Sequence, residues 1–293
     1  MKILIAIGGR EFSKPTLDLG MKIANSFKSS TTIAYVGKKI SQFSEKDVSV
    51  VHQNLDDREL YRPGIRTLEW AYDFLISKKY IEEKDSNKFN DYLLVDEENS
   101  RMKVLLKGQQ SDKIDLIMRT GEIIEQLKNE VETNKHDITI IGGGGNKGIH
   151  QKLVQFIDSS VFVVKNYSVN KKYRILLPIN ESKGSDMAIE TAINFAKSYK
   201  LDVEIVSVPE GKKSIEEVEK ILLKTKDKFL KNKIKASTKL ISGSAVSSIV
   251  NHAKDDSIVI LGVSPKNPIM KYFFGSKPLS IAQKCNCPVL ITK

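Results

Sequence analysis

Cysteine is almost missing from this chain. Its 293 residues hold only Cys285 and Cys287. No histidine or cysteine stands around them at zinc-ligand spacing, which excludes a disulfide framework and a structural metal centre and leaves both as small packing residues. Histidine is scarce too. His52, His136, His150 and His252 are scattered, no Gly-x-Ser-x-Gly elbow occurs, and no carboxylate pair marks a site, so no catalytic residue is assigned. His150, beside a glycine run, reads as a surface or capping histidine. Arginine is sparse as well: the net charge of +11 comes from 40 lysines against seven arginines, most of the lysines alternating with Glu or Asp on predicted helix faces. Base and phosphate recognition usually recruits arginine forks. A solvated Lys/Glu surface is therefore expected, and nucleic acid is not. No apolar run approaches a membrane span, and "MKILIAIGG" is too short for a signal sequence and reads as a buried strand. A cytoplasmic protein without a membrane partner is expected.

What the chain does have is a repeat. "ILIAIGGREFSKPTLDLGMKIA", from Ile3, aligns in register with "ILLPINESKGSDMAIETAINFA", from Ile175. Each copy opens with a strand and continues into a helix capped by serine, Ser13 in one and Ser185 in the other. Leu17, Met21 and Ala24 match Ile189, Ile193 and Ala196 on the apolar face. "TTIAYVG" and "DVEIVSVP" supply second strands. After changes of spacing, "ITIIGG" from Ile138 matches "IVILGV" from Ile258, and "SVFVVK" matches "PVLITK", ending at Lys165 and Lys293. Polar "NYSVNKK", Asn166 to Lys172, is the linker.

Strands alternate with helices in each half, and continuous Val/Ile/Leu runs are buried on both faces. The expected fold is α/β: two tandem doubly wound domains, 1–166 and 173–293, each with a five-stranded parallel sheet. The first carries an insertion around 38–113. Within it, "GIRTLEWAYDFLI" reads as a helix and "DYLLVDEENSRMKVLL" as a hairpin turning at Glu98, Asn99 and Ser100. In the second half, "SIEEVEKILLKTKDKFL" opens with a Ser214/Glu217 capping box and keeps Val218, Ile221, Leu222 and Phe229 on one stripe.

Open α/β sheets bind ligands at the carboxyl ends of strands where strand order reverses. In the second half those positions are Asn180, Val208 and Gly262. Gly262 would let a ligand approach the backbone. Gly275 and Ser276 precede "KPLSIAQK", a helix with Pro278 in its first turn, whose unpaired N–H groups and dipole attract an anion; the Ser276 hydroxyl and Lys277 ammonium would assist. The first half has Gly142 and Gly145 but Gln155 where a Gly-Ser pair would stand. Its glycines with Lys147 could form a nest for phosphate, although closure of a truncated loop is the expected use. Gly143-x-Gly145-x-x-Gly148 has the letters of a dinucleotide fingerprint but follows the penultimate strand, and no P-loop occurs.

Gly262, Pro265 and Gly275-Ser276 together resemble the G-x2-G-x9-G-[S/T] signature of the universal stress protein family, in its ATP-binding subgroup. "ILLPINESKGS", "ISGSAVSSIVNHAKDDSIVILG" and "CPVLITK" resemble that family's first strand and cap, its third helix with fourth strand, and its closing strand. The resemblance covers nearly all of Tyr173 to Lys293 and, less tightly, Met1 to Asn166 outside the insertion. It departs at Pro265, which stands for the second glycine, and at Asn180, which stands for an aspartate. It implies an adenine nucleotide alpha hydrolase-like fold and a regulator or sensor that binds ATP, with Mg2+, mainly through the C-terminal domain. Gly262, Pro265, Gly275, Ser276 and Lys277 would hold phosphates, Asn180 the ribose or metal side, and Val208 the adenine. It also implies self-association through the last strands, as an intrachain pseudo-dimer or a homodimer. A second reading is a stress-related interaction scaffold with non-binding pockets, whose protein partner meets the insertion. Slow ATP hydrolysis would need a general base that the sequence does not display.

Overall fold

The computed structural model describes residues 1–37, 64–81, 92–97, 101–106, 113–144, 147–180, 183–209, 214–263 and 277–293. The chain divides into two compact units, Met1–Thr139 and Ile140–Lys293.

In the first unit the order is β1 (Lys2–Ile7), α1 (Arg10–Ser26), β2 (Ser30–Gly37), α2 (Ile65–Ser77), β3 (Tyr92–Glu97), β4 (Arg101–Leu106), β5 (Ile114–Thr120) and α3 (Ile123–Asn134). β1 pairs with β2 and β2 with β5, both in parallel. Ile3, Leu4 and Ile5 are fully buried, as expected of a strand covered on both faces, and each such side chain contributes roughly 1.5–3 kcal/mol. Leu17, Met21 and Ala24 of α1 are buried as the helical spacing requires. The expected hairpin forms, with Tyr92 opposite Leu106. Beyond that expectation, β4 pairs antiparallel with β5, so the insertion widens the sheet.

That pairing sets Arg101 opposite Arg119. Two cations face to face would repel, and Glu130 of α3 resolves the conflict. Its carboxylate accepts from Arg101 Nε at 3.0 Å, Arg119 Nε at 2.8 Å and Asn134 Nδ2 at 2.8 Å. Burial pushes this carboxyl up, but the two guanidinium groups prevail and hold it below its ordinary 4.5. Next to it, buried His136 meets Thr32 Oγ1 at 3.0 Å and the Glu130 carbonyl at 3.3 Å. Burial lowers its pKa from the ordinary 6.5, partly offset by Glu130.

The second unit contains α4 (Lys147–Phe156), β7 (Ser160–Val164), β8 (Arg174–Pro178), α5 (Lys183–Tyr199), β9 (Val203–Ser207), α6 (Ile215–Lys231), β10 (Ala236–Leu240), α7 (Ala245–His252), β11 (Ser257–Gly262), α8 (Lys277–Lys284) and β12 (Val289–Thr292); the unit boundary falls inside β6 (Ile138–Gly142). Strands β10, β9, β8, β11 and β12 lie side by side in that order, all parallel, as the five-stranded expectation requires. β7 joins β12 antiparallel, with Val163 opposite Val289. Phe162 of β7 packs edge-on against Phe195 of α5, ring centroids 6.0 Å apart. These contacts place β7 in the second compact unit, whereas the sequence repeat breaks later, at 166–173.

The serine caps are a correction. α1 begins at Arg10 and α5 at Lys183, so Ser13 and Ser185 lie inside the first turns of their helices. Each hydroxyl turns back to the preceding strand: Ser13 Oγ accepts from the Gly8 N–H at 2.8 Å and Ser185 Oγ from the Asn180 N–H at 3.0 Å. The Ser214/Glu217 capping box does form at α6, and Val218, Leu222 and Phe229 are buried.

Candidate functional site

Strand order in the second unit turns around at β8, which has β9 on one side and β11 on the other. At such a reversal, open α/β sheets bind their ligands at the carboxyl ends of the strands. Asn180 follows β8, Val208 follows β9 and Gly262 ends β11, so three of the residues expected at the site reach this edge.

Two of them are tied together by the first turn of α5. The Ser185 hydroxyl accepts from the Asn180 N–H and donates to Asn180 Oδ1 at 2.9 Å, fixing the amide side chain. Gly262 sits against the same turn. A Cβ placed on it would lie 1.7 Å from the Gly184 carbonyl oxygen and 3.0 Å from the Ser185 nitrogen. The closest neighbour of Gly262 is therefore the backbone of α5, where the sequence reading anticipated a ligand. Val208 is half-buried. Its neighbour Ser207 donates from Oγ to the Ile179 carbonyl at 3.1 Å and joins the ends of β9 and β8. Gly184 and Ser207 had no assigned role in the sequence. The Gly-Ser pair at the head of α5 was the one legible sign of Gly184, and Ser207 had none.

Lys277 is the exposed first residue of α8, whose Leu279, Ile281 and Ala282 are buried. Pro265, Gly275 and Ser276 lie outside the described residues. Among those that are described, the donors at the edge are an amide, hydroxyls and helix-terminal N–H groups, which suit ribose and phosphate oxygens. No group of three His, Cys, Asp or Glu able to hold a metal occurs among the described residues.

The glycine run of the first repeat behaves as loop closure. Gly143 donates its N–H to the Val164 carbonyl at 2.7 Å, and a Cβ on it would strike Lys165 Cγ at 2.0 Å. That N–H is spent on β7 and takes no part in a phosphate nest. Cys285 and Cys287 are buried packing residues.

A doubly wound α/β unit gathers polar groups at its strand-order reversal, the position where open sheets of this kind bind ligands. Residues 173–293 match the model of the universal stress protein family. Over the whole chain the structure is similar to a universal stress protein from Archaeoglobus fulgidus DSM 4304, at 13% identity and a TM-score of 0.63, covering 100% of this chain and 96% of that one. It is likewise similar to a protein of unknown function from Pseudomonas aeruginosa PAO1, at 12% identity and a TM-score of 0.60, covering 100% and 92%. At such identities the likeness is one of fold. No curated protein matches the chain in sequence. Residues 173–293 thus match the universal stress protein family, and the full length is similar in fold to a structure of that family.

Proposed function

We propose that this protein binds an adenine nucleotide, ATP with Mg2+ on its phosphates, at the carboxyl edge of the second unit, and acts as a regulator or sensor. The observation that carries this reading is the convergence at the strand-order reversal: the close approach of Gly262 to Gly184 brings the amino end of α5 to the same point as the Ser185-held amide of Asn180. Asn180 would bond the ribose, Val208 would line the adenine, and Gly262, Pro265, Gly275, Ser276 and Lys277 would hold the phosphates. The experiment is mass spectrometry of the purified protein for a carried nucleotide, followed by ATP titration of wild type and Gly275→Glu. Wild type is expected to bind in the millimolar range or tighter and the variant to lose binding. Absence of binding by wild type overturns the reading.

One observation favours the scaffold alternative. The β3–β4 hairpin of the insertion extends the first unit's sheet beyond β5, and a protein partner would meet that added surface. The titration decides between the two.

A further inference from the structure

At the opposite, amino-terminal edge of the first unit's sheet, the ends of α1 and α2 and the starts of β2 and β5 enclose a cleft of about 250 Å³. Lys28, Lys78, Lys79 and Lys113 line it, Thr31 lies at its floor, and no acidic side chain among the described residues lines it.

Lysine at a helix C-terminus commonly serves the last carbonyl groups, so that use has to be excluded first. Here the backbone already serves them. In α1, Ser29 N–H reaches the Ala24 carbonyl at 3.0 Å and Lys28 N–H the Asn25 carbonyl at 3.1 Å; in α2, Tyr80 N–H reaches Leu75 at 2.9 Å and Lys79 N–H reaches Ile76 at 2.8 Å. The ammonium groups of Lys28, Lys78 and Lys79 make no hydrogen bond or ion pair among the described residues. The two helix ends contribute about half a negative charge each, which Lys28, Lys78 and Lys79 outweigh. Thr31 adds an independent sign. It is 3% exposed, and its Oγ1 is buried with no hydrogen-bond partner among the described residues, an arrangement that costs free energy unless something else accepts or donates there.

We propose that this cleft holds the phosphate group of a small phosphorylated molecule, with the lysine ammoniums at the rim and the Thr31 hydroxyl beneath. Lysine binds phosphate as a compact point charge and suits a site without arginine forks. The volume fits a diphosphate more closely than a whole nucleotide, since pockets for drug-sized ligands run from about 300 Å³ upward.

The test is calorimetric titration of the full-length protein with inorganic pyrophosphate at low ionic strength. Gly275→Glu, which blocks the phosphate cradle proposed in the second unit, serves as the background: it is expected to keep the first unit's binding step, and the first-unit substitutions are made in it. The double substitution Lys28→Gln and Lys79→Gln is expected to weaken binding about tenfold, and Thr31→Val, which keeps the side chain's shape, about threefold or more. Melting of Thr31→Val is expected to stay level or rise, because the orphan hydroxyl is gone, and so separates lost binding from lost folding. No binding by Gly275→Glu, or unchanged affinity in either first-unit variant made in that background, overturns the proposal.

Discussion

Gly262 shows how one missing methyl group organises a site. With the Gly184 carbonyl 1.7 Å from where its Cβ would be, Gly262→Ala must push α5 away from β11, and overpacking of this kind costs about 1–3 kcal/mol or more. Urea denaturation is expected to show that loss, together with weakened ATP binding as Asn180 shifts with the helix; an alanine variant as stable as wild type would contradict the close approach. His136 carries a second residue-level expectation. Its folded pKa lies below the ordinary 6.5, so as pH falls through 6.5 the unfolded chain takes up the proton first. Stability should then decline with falling pH down to the folded pKa. Glu130, held below 4.5, has a stability contribution present above 4.5 that is lost at still lower pH, so the two effects separate. Denaturation midpoints measured across this range should slope for wild type and flatten in His136→Gln near 6.5; an unchanged slope would remove His136 from the account. Neither residue's partner was legible in the sequence. Gly262 was legible as a point of close approach, but its contact with Gly184 comes from another element, and the arginine pair around Glu130 exists only once β4 lies against β5.

At the scale of elements, the sequence was most informative where the pattern is local. The strands, the apolar stripe of α1 and the capping box of α6 follow from periodicity and cap chemistry within a few residues. The helix starts were misplaced because a serine followed by Lys and Pro looks like a cap, while Ser13 and Ser185 bond back to the preceding strand. The sheet-widening role of the hairpin and the pairing of β7 with β12 join segments far apart in sequence, and nothing local specifies them. That last pairing has a matched pair of lysines. Lys165, ending the β7 repeat, donates from Nζ to the carbonyls of Ala282, Gln283 and Cys285 at 2.6, 3.0 and 3.2 Å and closes the C-terminus of α8. Lys293, its repeat partner after β12, donates to the Ile157 carbonyl after α4. Lys165→Met keeps the stem and removes the donors, so it is expected to destabilise the second unit by about 1–3 kcal/mol in urea titration. A cost near zero would mean that water serves those carbonyls equally well.

For the whole molecule, duplication accounts for the two strand–helix repeats, and divergence for where they differ. The second repeat keeps an unbroken five-stranded parallel sheet with its strand-order reversal at β8. In the first, the glycine run is closed against β7 by the Gly143 bond, and an added hairpin extends the sheet. The central claim is that a nucleotide occupies the second unit's carboxyl edge. It is tested most directly by amide hydrogen exchange of the full-length protein with and without saturating ATP, followed at Asn180, Gly184 and Gly262. Slower exchange at those amides on adding ATP is the predicted result; exchange unchanged at all three would contradict it.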